Sequence, residues 1–133
     1  MSPVNLSEIV ENLGIPQIRY HLFICADATK PKCCDPQVGL ATWDYLKARL
    51  KELKLDQVQV DSTTQEPGCV YRTKANCLRI CQQGPIVLIY PDRVWYHSVT
   101  VEVMERIIQE HLCQGTIVKE YLLYQDPQNR SLP

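Results

Sequence analysis

Residues 77–112 read CLRICQQGPIVLIYPDRVWYHSVTVEVMERIIQEHL, and the order of signals in this stretch decides the fold. The turn Gln82-Gln83-Gly84-Pro85 leads into five apolar or aromatic residues in a row, Ile86 to Tyr90. Pro91-Asp92 then turns the chain into Val94-Trp95-Tyr96, so the two runs predict a β-hairpin. Thr100 is placed as the N-cap of a helix that carries Val103, Met104, Ile107, Ile108 and Leu112 on one face. Gly115 is its expected stop.

Working towards the N-terminus, residues 62–76 are polar, with an extended piece expected around Val70 and Tyr71. A short strand is expected at residues 58–60. Leu40, Trp43, Leu46, Leu50 and Leu53 recur near the 3.6 period of a helix facing a core, while Lys47, Lys51 and Lys54 form a stripe read as a solvated face. Residues 26–38 hold Pro31, Cys33, Cys34, Asp35 and Pro36, too many breakers for regular structure, and read as a loop containing thiols. Before them, residues 18–25, IRYHLFIC, predict a buried strand ending on Cys25. The first 17 residues include a weakly amphipathic stretch, Leu6, Ile9, Val10 and Leu13, closed by Gly14 and Pro16, expected to be a short docking helix or a loose arm. Residues 117–124 are expected to pack back on the domain, and residues 125–133 to form a flexible tail. The chain thus divides into an arm (1–17), one domain (18–124) and a tail (125–133). Strand, helix, strand, then hairpin and helix is a thioredoxin-like α/β order, with a mixed central sheet and flanking helices. The first crossover between parallel strands is expected to be right-handed.

The 133 residues suffice for one core, and 45% apolar with 22% charged residues is ordinary globular usage. A net charge of −1 lacks the basic excess of a nucleic-acid binder. No apolar run approaches the roughly 20 residues needed to cross a bilayer, and no signal-like start is present, so a cytoplasmic protein with no membrane insertion is expected. Seven cysteines are many for such a chain. In a reducing compartment they point to metal or redox work rather than to structural disulfides.

Cys77 and Cys81 are close enough for both thiolates to reach one metal if the chain between them curls. Leu78 and Ile80 would shield such a site, and Arg79 would offset its negative charge. A C-x3-C alone is a weak signal, since buried free cysteines also fill space. Cys25 at a strand end and Cys33-Cys34 in the next loop strengthen it. Thioredoxin-type dithiol chemistry uses C-x-x-C at a helix start, a spacing absent here. Structural zinc favours two tight knuckles, whereas Cys25 and the doublet lie eight or nine positions apart.

At this point residues 77–112 resemble the thioredoxin-like 2Fe-2S ferredoxins, also called Shethna-type: C-x3-C, a G-P-hydrophobic strand, then Y-P, V-W-Y and V-T before the last helix. The resemblance runs from about residue 20 to residue 112. It implies one 2Fe-2S cluster per chain, held by Cys25, Cys77, Cys81 and a loop cysteine, and a low-potential one-electron carrier. Cys34, nearer Gly39 and the helix, is favoured as the loop ligand, with Cys33 as the alternative. Residues 63–76 look longer than in the shorter family members and bring Cys69, which is read with Cys113 as a structural or spare thiol.

The family forms homodimers, which makes Trp95 and Tyr96 candidate interface residues or ordinary core. Redox partner proteins are implied, and Lys30 and Lys32 beside the cluster loop would suit an acidic one. His21, His97 and His111 lack Rieske spacing and are read as ordinary strand or helix residues. No Ser-His-Asp set, phosphate loop or paired carboxylates suggest an enzyme. The rival readings are a thioredoxin-fold thiol-disulfide protein, using Cys33 and Cys34 or Cys69, and an iron-sulfur sensing or structural module.

Overall fold

A computed structural model describes residues 5–26, 36–56, 69–80 and 82–127. Helix α1 (Leu6–Asn12) is capped by Asn5, whose side chain accepts the Glu8 N–H at 2.9 Å. A 3-10 turn (Ile15–Gln17) then delivers the chain into strand β1 (Ile18–Cys25). Helix α2 spans Pro36–Glu52 and strand β2 Cys69–Ala75. Strands β3 (Val87–Tyr90) and β4 (Val94–Tyr96) form the expected hairpin, and helix α3 (Val101–Arg106) continues as a π-type turn over Ile107–Leu112. A last strand, β5 (Leu122–Gln125), follows a 3-10 turn at Lys119–Tyr121.

The sheet order is β2-β1-β3-β4-β5, with β1 parallel to β2 and every other pair antiparallel. Alternation along the strands gives the sheet two unlike faces. Leu22, Ile24, Val70, Val87, Ile89, Val94 and Tyr96 join Leu46 and Leu50 of α2 and Met104, Ile107 and Ile108 of α3 in one core. The other face presents His21, Phe23, Tyr71, Leu88, Tyr90 and Trp95 in register. His21 stacks on Phe23 at 4.1 Å, Tyr71 meets His21 edge-on, and Tyr90 is 44% exposed.

Two expectations change. Helix α2 begins at Pro36, not near Leu40, because proline is tolerated in a first turn whose N–H groups lack partners anyway. Its buried residues are Gly39, Thr42, Leu46 and Leu50, which turns Leu40 outward. The parallel partner of β1 is Cys69–Ala75, where only a piece around Val70 and Tyr71 was expected; the strand expected at residues 58–60 lies outside the described residues. Of the two readings left open for the hairpin aromatics, Tyr96 takes the core one, 0% exposed, while Trp95 points to the open face.

A buried polar chain locks α3 to the hairpin. The Val118 N–H donates to Tyr96 Oη at 3.1 Å, and Tyr96 Oη lies 2.7 Å from His111 Nδ1. With Val118 N–H occupying one side of Oη, the Tyr96 hydroxyl donates to Nδ1, and Nε2–H donates to Asp92 Oδ2 at 2.7 Å. Burial pushes the Tyr96 hydroxyl up to about 12, so it stays protonated. The π-type turn brings both His111 and Leu112 inward, and Cys113, just after it, is exposed.

The N-terminal stretch is a helix, but its apolar side chains Leu6, Ile9, Val10 and Leu13 face outward. The Cys69 thiol donates to the Gly14 carbonyl at 3.5 Å and ties this arm to β2.

Candidate metal centre

Cys25 is the last residue of β1, and its register partner is Ala75, the last residue of β2. Ala26 N–H donates to the Ala75 carbonyl at 3.2 Å, so the two chains are still paired as they leave the sheet. Cys77 follows two residues later. Because β1 and β2 run parallel, Cys25 and Cys77 leave by the same edge. Strand β3 runs the other way and starts there too: Cys25 N–H donates to the Ile86 carbonyl at 3.2 Å, and Ile86 N–H donates to Cys25 Sγ at 3.1 Å. Cys25 is 2% exposed, whereas Cys77 is open to solvent and accepts the Arg79 N–H on its Sγ at 3.2 Å.

The chain around Cys77 curls as a ligand loop requires. Arg79 has φ 73°, Gln83 56° and Ser98 54°, all left-handed positions that cost a non-glycine residue about 1–2 kcal/mol each. Neighbouring bonds hold them: Ser98 N–H to the Gln83 carbonyl at 2.7 Å, Val99 N–H to the Pro85 carbonyl at 3.0 Å, and Thr42 Oγ1 to the Val99 carbonyl at 2.8 Å. A cavity of about 220 Å³, lined by Ile80, Gln82, Gln83, Ile86, His97 and Leu123, lies behind this loop. Ile80 and Leu78 are half-buried, and Arg79 is exposed.

Helix α2 approaches the same edge through a glycine. A Cβ on Gly39 would meet Ala26 Cα at 3.1 Å and the Cys25 carbonyl oxygen at 3.4 Å, so only glycine allows this spacing without a shift. The first turns of α2 are thereby held against the end of β1, at Cys25 and Ala26.

Of the expected ligands, the structure brings Cys25 and Cys77 to one edge. Cys33, Cys34 and Cys81 lie outside the described residues, as do Lys30 and Lys32. Cys69 opens β2 at its far end, six residues and roughly 20 Å from Ala75. Burial pushes the thiols of both Cys69 and Cys113 up, the reverse of what a ligand or nucleophile needs. Among the described residues no three Cys, His, Asp or Glu side chains converge on one point. Each histidine has a protein partner: His21 with Thr73, His97 with Ser98, His111 with Tyr96 and Asp92.

The chemistry of this edge suits iron-bound sulfur. Soft thiol ligands select iron-sulfur clusters and zinc among metal groups, and N–H bonds to the sulfurs stabilise extra negative charge. The residues missed in the sequence are Ile86 and Arg79 as donors. Both act through the backbone, which carries no residue signature; the Gly84-Pro85 turn was the nearest readable sign.

No family model matches the chain. It is similar to a protein named "Ferredoxin, 2Fe-2S" from Clostridium pasteurianum, 32% identical over 101 residues that cover 76% of this chain and 92% of that one. A protein of the same name from Aquifex aeolicus is 27% identical over 106 residues, covering 77% of this chain and 87% of its own. A solved structure of a thioredoxin-like 2Fe-2S ferredoxin from Aquifex aeolicus superposes with a TM-score of 0.64 at 21% identity, covering 86% of this chain and 99% of that chain. The wild-type form at 1.5 Å gives a TM-score of 0.55 at 26% identity, covering 80% and 98%.

Proposed function

The chain belongs to the thioredoxin-like 2Fe-2S ferredoxins, and from that premise we propose that Cys25, Cys34, Cys77 and Cys81 hold its one cluster, with Cys33 as the alternative to Cys34. The cluster supplies a centre that takes up and releases one electron, so the protein is a one-electron carrier. The observation that carries the ligand assignment is the shared strand edge: Cys25 opposite Ala75, Cys77 two residues on, and a backbone N–H aimed at each Sγ. Ile86 and Arg79 N–H favour the extra negative charge of the reduced state, and the buried Cys25 keeps water from one side of the site. Exposed Cys77 marks where a partner comes near.

The domain of residues 18–124 does this work without catalytic groups of its own, between redox partner proteins, in a cytoplasm that keeps seven thiols reduced. A thiol-disulfide role through Cys69 is disfavoured by its burial and raised pKa. The assembly is a homodimer closed over the open aromatic face of Phe23, Tyr90 and Trp95. Half-exposed aromatics sharing one face of the sheet suit a self-complementary contact.

Iron and acid-labile sulfide analysis of anaerobically purified protein, with visible and EPR spectra before and after dithionite, tests the reading. Two irons and two sulfides per chain with reversible bleaching are expected. One zinc and no iron would sink it. Light scattering of a Phe23→Glu variant tests the dimer, which should fall to a monomer.

A further inference from the structure

On the helix-covered side of the same sheet edge, three cations gather round one aromatic ring. Lys47 Nζ lies 5.6 Å from the Trp43 ring centroid, Arg72 Cζ 5.7 Å and Lys74 Nζ 6.0 Å. Lys47 is one helical turn beyond Trp43, and Arg72 and Lys74 alternate along one face of β2. Each such pairing holds a cation over the ring without neutralising it. Asp44, 3.5 Å from Lys47 Nζ, offsets part of the charge. The whole chain carries −1, so this is a local concentration of positive charge rather than general basicity.

The patch lies close to the ligand-bearing edge. Lys74 is the register partner of Ile24, the residue before Cys25. Trp43 stands four residues, about 6 Å, along α2 from Gly39, which faces Cys25 and Ala26. Lysines on an edge strand also guard against strand addition, but that role needs no tryptophan and no arginine. Arg72 Nε is buried and has no hydrogen-bond partner among the described residues, which edge protection alone does not explain.

We propose that Trp43, Lys47, Arg72 and Lys74 form the docking surface for an acidic redox partner protein, whose carboxylates they draw to the edge bearing Cys25 and Cys77. The inference rests on the electron-carrier reading. Complementary charge speeds encounter and fixes orientation, and transfer requires the partner to come close to the ligands. The tryptophan adds a flat apolar contact once the charges have met. The stripe read from sequence as a solvated helix face thus has its first lysine engaged with the ring.

The test has two readouts on the full chain. Binding of fluorescein-labelled poly-L-glutamate, followed by anisotropy, needs no cluster, so it separates this inference from the cofactor reading. Stopped-flow oxidation of dithionite-reduced protein, one electron passing to hexacyanoferrate(III) or to hexaammineruthenium(III), reads the field at the ligand edge with an anion and a cation. K47Q/R72Q/K74Q should weaken peptide binding roughly tenfold at low ionic strength. It should slow the anionic oxidant several-fold without slowing the cationic one, and 0.5 M salt should erase both differences. K47R/R72K/K74R should behave as wild type, and K119Q, outside the patch, should change neither readout. Should the triple variant fail to fold, the half-exposed K47Q alone should weaken binding about twofold. Unchanged peptide binding in the folded variants, or equal changes with both oxidants, would overturn the proposal.

Discussion

Replacing Tyr96 by Phe removes one oxygen from the centre of the core and leaves the ring's volume in place. That oxygen accepts from Val118 N–H and sits against His111 Nδ1, with Tyr96 and His111 both 0% exposed and Val118 1%. Both partners are shielded from bulk solvent. Two hydrogen bonds are lost, and two buried polar atoms are left unsatisfied, together costing about 2–4 kcal/mol. Globular proteins gain about 2.1 cal/mol/K of unfolding entropy per residue, so for 133 residues each kcal/mol shifts Tm by about 3–4 °C. Apparent Tm by far-UV circular dichroism, compared with wild type at the same cluster content, should therefore fall by roughly 7–14 °C. Asp92→Asn, at the 40%-exposed end of the chain of bonds, should cost less than about 1 kcal/mol. A Tyr96→Phe shift under 3 °C, or one matched by Asp92→Asn, would refute the view that the buried hydroxyl holds α3 to the hairpin.

Other outcomes follow from the same geometry. Cys25→Ser and Cys77→Ser should each lose the cluster or alter its spectrum, whereas Cys69→Ser and Cys113→Ser should keep it; iron content and visible spectra decide this, and separate Cys33→Ser and Cys34→Ser variants identify the loop ligand. Gly39→Val should push α2 off the end of β1, costing about 1–3 kcal/mol and lowering cluster occupancy, while a variant with full iron and unchanged Tm would contradict the contact with Ala26. Hydrogen bonds from Arg49, with further ones from Tyr45 and Gln109, hold the Glu105 carboxyl down at about 2, against an ordinary 4.5. A depressed carboxyl adds stability that is present above pH 4.5 and lost as pH falls through about 2, so Glu105→Gln should flatten the acid-unfolding curve in that window.

The sequence revealed most where local pattern and tertiary role agree. Ile86 to Ile89 are buried throughout and the strand ending on Cys25 buries Leu22, Ile24 and Cys25, and continuous apolar residues announce that. Strand β2 was legible only around Val70 and Tyr71 because CVYRTKA sits at the sheet edge, where Arg72 and Lys74 lie at the margin of the core beside Trp43, and charges in alternation look like a loop. Tyr96 stays open between interface and core on sequence alone because a tyrosine's burial depends on a partner for its hydroxyl, here His111, fifteen residues away. At the candidate centre, cysteine positions were readable and their N–H donors were not.

The bond from Ile86 to Cys25 spans 61 positions of sequence. At 5–20 residues per second of synthesis, a growing chain carries Cys25 for roughly 3–12 s before the donor to its sulfur has been made. The parallel neighbour β2 also arrives late. The hydrogen-bonded setting of the Cys25 sulfur is therefore complete only once β3 has been made. The first ligand in the chain thus waits for the chain's second half before its surroundings are finished.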